Sequence, residues 1–117
     1  MPIRLEDVLF ALEERFWIDG EEFFQRNLAY TALMVFPEPV GVLLKDEIES
    51  SVNVRARWSQ VELEEHRVLE LVEDAVLVTY KVAAMRPDTE PYRARASSVY
   101  VRDGTAWRLA FHQQTPI

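Results

Sequence analysis

Apolar residues recur at helical spacing along the first part of the chain. The main stripe consists of Leu5, Val8, Leu9, Leu12 and Phe16. Phe10 and Trp17 add a second apolar seam on the flank of that stripe, and Gly20 ends the predicted helix. A second short helix is predicted over "EEFFQRNL" and a third over "KDEIESSV", because acidic residues at their starts complement a helix dipole.

The period changes between and after these helices. The run "TALMVFP" predicts a strand that ends at Pro37, and "EPVGV" predicts a turn. From Trp58 onward, long alternating segments rich in valine and tyrosine predict strands joined by short turns. These segments are "WSQVELEEHRVLELV", "AVLVTYKVAAMR", "YRARASSVYVR" and "AWRLAFHQQT".

Helices followed by long antiparallel strands are typical of an α+β fold, with the helices packed on one face of a sheet. The strands exceed the usual length, so we expect a strongly curved mixed or antiparallel sheet around three short helices. With 117 residues and no linker-like stretch, residues 1–117 are predicted to form a single domain.

Composition narrows the possible chemistry. The chain has 49% hydrophobic and 28% charged residues, which is typical of a globular protein. It has no cysteine, which excludes disulfides and thiolate metal sites, and its histidines, His66 and His112, lie far apart. With no phosphate-binding glycine loop either, the sequence predicts neither a metal nor an organic cofactor.

The charge is unevenly distributed. Residues 1–50 carry four basic and eleven acidic residues, whereas residues 51–117 carry nine of each, which gives the net charge of −7. Such a chain repels phosphates, so nucleic acid is not expected as a partner. The longest apolar run, "YTALMVF", is too short for a bilayer, and acidic residues stand where a secretory signal would be apolar. A cytoplasmic location without a membrane partner is expected.

The strand that ends in "VFP", together with the final "YVRDGTAWRLAFHQQTP", resembles the nuclear transport factor 2-like superfamily. The resemblance extends over essentially the whole chain and is nearest to small bacterial members of unknown function, related to ketosteroid isomerases and polyketide cyclases. It implies a curved sheet around helices, a conical cavity and a homodimer that pairs sheet to sheet. Enzymes and association domains share this fold, so the resemblance leaves the function open.

The family's isomerases use an acidic base and a tyrosine donor, and this pattern is not found in the expected cavity strands. Residues 75–86, 92–102 and 106–115 contain no acidic residue, and Thr31 stands where relatives often have one. The same segments contain several cations, of which Arg93 and Arg95 share one face and could hold an anion. We favour pairing of these cations with the glutamates of the preceding strand, because strand charges usually mark solvated faces.

Several aromatic and polar residues are candidates for a ligand site. Trp107, Leu109 and Phe111 alternate on one face and are predicted to be core. Hydroxyl groups that need partners make the tyrosines better candidates for cavity residues. The predicted ligand-binding residues are Trp17, Tyr30, Trp58, Tyr80, Tyr100 and Gln113.

His112 is the candidate catalytic residue, but the alternation favours another role. It places His112 opposite Trp107, on the outer face used for dimer contact in the family, unless a bulge reverses the strand. An interface or structural role is therefore preferred to catalysis.

Three functions remain open. The leading hypothesis is a homodimeric cavity protein that binds a small, mostly apolar molecule. The alternatives are a cofactor-free isomerase, cyclase or dehydratase that uses His112 or a cavity tyrosine, and a pure association module. Apolar and small residues on both faces of "AVLVTYKVAAM" predict dimerisation through the outer sheet face.

Overall fold

The computed structural model describes residues 4–52 and 57–117. The helices are α1 (Leu5–Ile18), α2 (Glu21–Asn27) and α3 (Lys45–Val52). The strands are β1 (Leu28–Phe36), β2 (Gly41–Leu44), β3 (Gln60–Val72), β4 (Ala75–Met85), β5 (Tyr92–Asp103) and β6 (Ala106–Pro116). Within the described ranges, no helix combines the length and apolar character needed to cross a membrane.

The six strands form one open mixed sheet in the order β2-β1-β6-β5-β4-β3. Neighbouring strands are antiparallel except β1 and β6, which run parallel. The helices pack against this sheet, so the predicted α+β architecture is confirmed. The β5–β6 turn contains Gly104 at φ 64°, a left-handed conformation that glycine adopts without steric cost.

Two predicted boundaries were wrong around the first strands. β1 begins at Leu28, ahead of the predicted "TALMVFP", and the segment predicted as a turn contributes strand β2. β2 starts at Gly41, whose φ of 70° lets the chain reverse, and Val42 then pairs with Val35 of β1. With only four residues, β2 is too short to show a convincing alternation in the sequence.

The face of the sheet that meets the helices, here called the inner face, follows the predicted two-residue period. In β4 the buried residues Val76, Val78, Tyr80, Val82 and Ala84 alternate with half-buried ones. Buried residues of α1 pack on them and form one core. β4 therefore presents every second side chain to the helices.

A β-bulge changes that alternation in β6. Val99 pairs with Phe111 and Tyr100 pairs with Leu109, so Ala110 is an extra residue without an opposite partner. Leu109 and His112 are consequently both buried on the inner face, whereas Phe111 is only half-buried. The prediction that His112 lies on the outer face was wrong, because the bulge shifts all following residues by one position.

Candidate functional site

Glu13 is an acid placed in the middle of the buried face of α1. It lies one turn after Leu9 and one turn before Phe16 and Trp17, and all four side chains are buried. Glu13 itself is 0% exposed. A carboxyl group in this position must find its hydrogen-bond partners inside the protein, because an unpaired buried polar group costs several kcal/mol.

Three hydroxyl groups of the sheet supply those partners. Tyr80 of β4 donates to Glu13 Oε1 over 2.7 Å, and Ser98 of β5 donates to the same oxygen over 2.6 Å. Tyr100 donates to Oε2. The indole Nε1 of Trp17 donates in turn to the Tyr80 oxygen at 2.9 Å. The carboxyl group therefore links α1 to two neighbouring strands.

His112 extends this arrangement through Ser98. The imidazole Nδ1 lies 2.7 Å from Ser98 Oγ. Since the single hydroxyl proton of Ser98 is directed to Glu13, Nδ1 must carry the imidazole proton and donate it to Ser98. Nε2 is then an acceptor, and it receives the Gln114 amide over 3.1 Å. Glu13, Tyr80, Ser98, Tyr100 and His112 are called the buried network below.

Burial controls the ionisation of this network. Desolvation raises the pKa of Glu13 from its usual 4.5, and the hydrogen bonds from Ser98, Tyr100 and Tyr80 oppose that rise. Desolvation also lowers the pKa of His112 to about 3. Although His112 Nδ1 lies 3.8 Å from Glu13 Oε1, the imidazole is neutral near physiological pH, so this contact is not an ion pair.

A pocket lies beside the buried network, with a volume of about 250 Å³. Most of its lining is apolar or aromatic, and polar groups enter at a few points. The lining residues are Phe16, Trp17, Phe24, Met34, Phe36, Pro37, Val40, Leu43, Ile48, Ser51, Arg57, Trp58, Arg86, Tyr92 and Gln114. This cavity is called the aromatic pocket below.

Gln114 connects the two regions. Its side chain lines the aromatic pocket, and its amide nitrogen contacts His112 of the buried network. Its amide oxygen accepts a hydrogen bond from Tyr92, another lining residue, over 3.1 Å. Neither Glu13 nor His112 lines the pocket. The acid and the imidazole are therefore separated from the pocket by a wall that includes Gln114.

The structure separates the predicted ligand-binding residues into groups. Trp17 and Trp58 line the aromatic pocket, whereas Tyr80 and Tyr100 are buried in the network behind it. Gln113 faces outward and donates to Ser97 over 3.0 Å, so its predicted place in the pocket is taken by Gln114. The bulge at Ala110 is again the reason for this exchange.

Tyr30, another predicted ligand-binding residue, does not line the aromatic pocket. Its side chain is 89% exposed and lies beside a second, shallow depression of about 420 Å³. The pairing of β1 with β6 is irregular between Leu28 and Leu33, so the alternation does not continue through Tyr30. The second depression is larger but wide open, and the aromatic pocket, which reaches the core, is the better candidate site.

The sequence reasoning did not find Glu13, Ser98 or Gln114. The search for acids was confined to strands, whereas the buried acid is on a helix. Its signal was present: Glu13 stands at helical spacing between Leu9 and Trp17, within the apolar face. An acid inside such a face is a candidate for a buried, hydrogen-bonded carboxyl group.

Two of the strand cations contact a glutamate of β3, in agreement with the pairing that the sequence favours. Arg95 and Lys81 lie 3.5 Å and 4.0 Å from Glu65 of β3, all on the exposed side of the sheet. In the part of the chain that the structure describes, no group of three or more histidine, cysteine or acidic residues is arranged to hold a metal ion.

No protein-family model matches the chain, and no curated protein matches it at a significant level. Solved structures do match. A protein from Parabacteroides distasonis, provisionally described as a ketosteroid isomerase, has a TM-score of 0.83 at 10% identity, covering 97% of this chain and 89% of its own. For a nuclear transport factor 2-like protein from Cytophaga hutchinsonii, the TM-score is 0.81 at 15% identity, with 98% and 100% covered.

The association domain of C. elegans CaMKII is also similar, with a TM-score of 0.75 at 18% identity, covering 93% of this chain and 90% of that domain. Identities this low establish a shared architecture and leave activity open. The sheet order, the helices packed on its inner face and these matches lead to one conclusion: the chain has the nuclear transport factor 2-like fold.

Proposed function

We propose that the protein binds a small, mostly apolar molecule in the aromatic pocket and acts through binding rather than turnover. The observation that carries this proposal is the separation of the pocket from the buried acid and imidazole. A general acid or base must reach the reacting proton directly or through one water molecule. Glu13 and His112 are both 0% exposed, so neither reaches a molecule in the pocket as the wall stands.

The size and lining of the pocket suit such a ligand. A volume of about 250 Å³ is near the lower limit for small-molecule sites, which favours an occupant of one or two rings. Trp58 and Tyr92 stack with ring centroids 5.7 Å apart, and Trp17 lies 6.2 Å from Tyr92. These aromatic walls provide contact area for an apolar body.

Indole tests this proposal, because it is neutral, aromatic and small enough for the pocket. We expect nuclear magnetic resonance shifts on indole addition to concentrate at Phe16, Trp58 and Tyr92. Trp58→Ala is expected to weaken binding by about tenfold or more, since a stacked aromatic wall is lost. Trp107→Ala is the matched control, because Trp107 lies at the end of β6 away from Gln114 and does not line the pocket. Absence of binding, or equal effects of the two variants, would refute the proposal.

A cofactor-free acid–base enzyme is the second candidate, favoured by one observation. Gln114 contacts both the pocket and His112, so a small movement of one side chain would expose the imidazole. Cyclohexanone in heavy water provides a test, because a base that removes its α-proton produces an enolate that takes up deuterium. We expect no acceleration of this exchange. Acceleration that disappears in His112→Ala would favour the enzyme.

We also propose a homodimer formed through the outer sheet face. One cross-strand row on that face has an apolar residue at every strand. The row consists of Leu69, Leu77, Val99, Phe111, Leu33 and Leu44. A continuous apolar row across a sheet is better covered than exposed, and a two-fold axis would cover two copies at once.

Light scattering at micromolar concentration tests the homodimer. We expect twice the chain mass of 13.7 kDa for the wild type and the monomer mass for Val99→Glu, which places a charge in the middle of the row. Ala11→Glu, on the exposed side of α1, is the matched control and should remain a dimer. A wild-type monomer would refute this proposal and leave the pocket proposal intact.

A further inference from the structure

Two guanidinium groups line the aromatic pocket. Arg57 precedes β3 and Arg86 directly follows β4, and both are half-buried. The chain has a net charge of −7, so the two cations at its aromatic cavity have the opposite sign to the overall charge. Six arginines in the described part of the chain pair with carboxylates, as Arg95 does with Glu65. Arg57 and Arg86 differ from these in that both line the aromatic pocket.

Each pocket arginine is held in place by neighbouring groups. The guanidinium carbon of Arg86 lies 3.9 Å from the centroid of the Trp58 ring, which is stacking distance. Arg57 Nε donates to the carbonyl of Asp19 over 2.8 Å, and its Nη2 donates to the carbonyl of Phe16. The Arg57 guanidinium also lies 5.3 Å from the Phe24 ring. The forks are thus oriented before any ligand arrives, which lowers the entropy cost of binding.

The two cations affect each other. Burial lowers the pKa of Arg57 to about 10, and the positive charge of Arg86 adds to that decrease, while Asp19 opposes it. Repulsion between two fixed cations in a partly apolar site destabilises the empty pocket. An anion between them would relieve this repulsion and gain hydrogen bonds that are stronger than those of neutral partners.

We propose that the ligand of the aromatic pocket is a small organic carboxylate. Its carboxylate group binds between Arg57 and Arg86, and its apolar body lies against the ring walls formed by Trp17, Trp58 and Tyr92. This inference rests on the proposed function, since it assigns a chemical class to the molecule bound there. A guanidinium group carries five N–H donors, so Arg57 keeps donors for a carboxylate besides those given to the carbonyls of Asp19 and Phe16.

Phenylacetate and phenylacetamide form a matched pair of probes, nearly identical in shape but different in charge. We expect the wild type to bind phenylacetate at least about tenfold more tightly than phenylacetamide, as one additional charge-assisted hydrogen bond would produce. Binding of the wild type should also lower the pKa of the phenylacetate carboxyl group, because two cations favour its ionised form. This second measurement needs no variant.

Variants of the pocket arginines test whether they cause the preference for phenylacetate over phenylacetamide. Arg86→Met removes the charge but keeps a long side chain over Trp58, and it should bring the phenylacetate-to-phenylacetamide affinity ratio close to one. Arg86→Lys should retain part of the ratio. Since both probes are measured in each variant, a general loosening of the pocket cancels in the ratio. Arg26→Met removes an exposed arginine that pairs with Glu22 and should leave the ratio unchanged.

The outcomes separate this inference from the pocket proposal. Equal wild-type affinities for both probes would overturn the carboxylate assignment and leave the binding of a small apolar molecule standing. Failure of both probes and of indole would overturn both. A ratio that persists in both Arg86→Met and Arg57→Met would place the anion elsewhere and also overturn the inference.

Discussion

The buried network and the aromatic pocket share a wall but differ in how their polar groups are satisfied. In the buried network every acceptor of Glu13 faces a hydroxyl donor from the sheet, and the whole set is inaccessible to solvent. In the aromatic pocket the polar groups are at the edge of an apolar cavity and keep partial exposure. The two regions meet at Gln114.

This difference separates a structural use of polar residues from a binding use. Groups that satisfy one another fix the position of α1 over β4 and β5, since each hydrogen bond specifies one arrangement. Groups that line a cavity remain able to contact a molecule that enters it. Ionisable residues therefore have different functions according to their surroundings: the acid and the imidazole of the buried network stabilise the fold, whereas the arginines of the pocket remain available to a ligand.

Removal of the centre of the buried network is expected to have the largest effect on stability. Glu13→Leu leaves three hydroxyl groups without their acceptor, so we expect the free energy of unfolding to fall by about 3–5 kcal/mol. Urea denaturation measures the change. Glu14→Leu, one residue further on and exposed, is the control and should change stability by less than about 0.5 kcal/mol. A loss below about 1 kcal/mol for Glu13→Leu would mean that the network is not structural.

A smaller effect is expected at the other end of the network. His112→Ala removes a ring whose centroid lies 4.1 Å from that of Phe16, and it leaves the partners Ser98 and Gln114 unsatisfied. We expect a loss on the order of 1–3 kcal/mol. His66→Ala, at the exposed histidine, should cost less. A fully stable His112→Ala protein that loses a measurable turnover would instead assign His112 to catalysis.

The smallest expected effect depends on pH. The raised pKa of Glu13 means that the folded state keeps a proton that the unfolded chain releases above 4.5. The stability contributed by this group is therefore complete below that pH and is lost as the pH rises through the folded pKa. Glutamine has the same shape and cannot ionise, so Glu13→Gln removes the loss.

We expect Glu13→Gln to gain stability relative to the wild type as the pH rises from about 5 to about 6, by at most about 1.4 kcal/mol. Thermal unfolding across this range measures the gap. His112 is present in both proteins, so its effect on stability cancels in the comparison. Its lowered pKa reduces stability only as the pH falls from its usual 6.5 to about 3. A gap that widens in the opposite direction would show that the network favours the charged carboxylate.

The sequence predicted the architecture because most of its patterns are local. The alternation of Val76, Val78 and Tyr80 and the helical spacing of Leu9 and Phe16 report the inner face directly. The resemblance of the last two strands then indicated the fold. These features need no knowledge of distant contacts.

The site was harder to predict because it depends on register and on contacts distant in sequence. The single extra residue Ala110 moved His112 and Gln114 inward and Gln113 outward. The hydrogen-bond partners of Glu13 lie 67 to 87 residues away, so the residues near Glu13 in the sequence do not indicate them. Alternation alone could not have revealed either the bulge or these partners.

Ser98 has only one proton to give, and this fact sets a direction along the whole chain of contacts. Because Ser98 donates to Glu13, His112 must donate to Ser98, Gln114 must donate to His112, and Tyr92 must donate to Gln114. At the pocket, the Tyr92 oxygen is consequently left with lone pairs and no proton to offer. The buried carboxyl group on α1 therefore determines which hydrogen-bonding group Tyr92 presents to the cavity. This side of the cavity can accept a hydrogen bond from a ligand but cannot donate one to an anion, so an acidic group of the ligand would bind at the arginines.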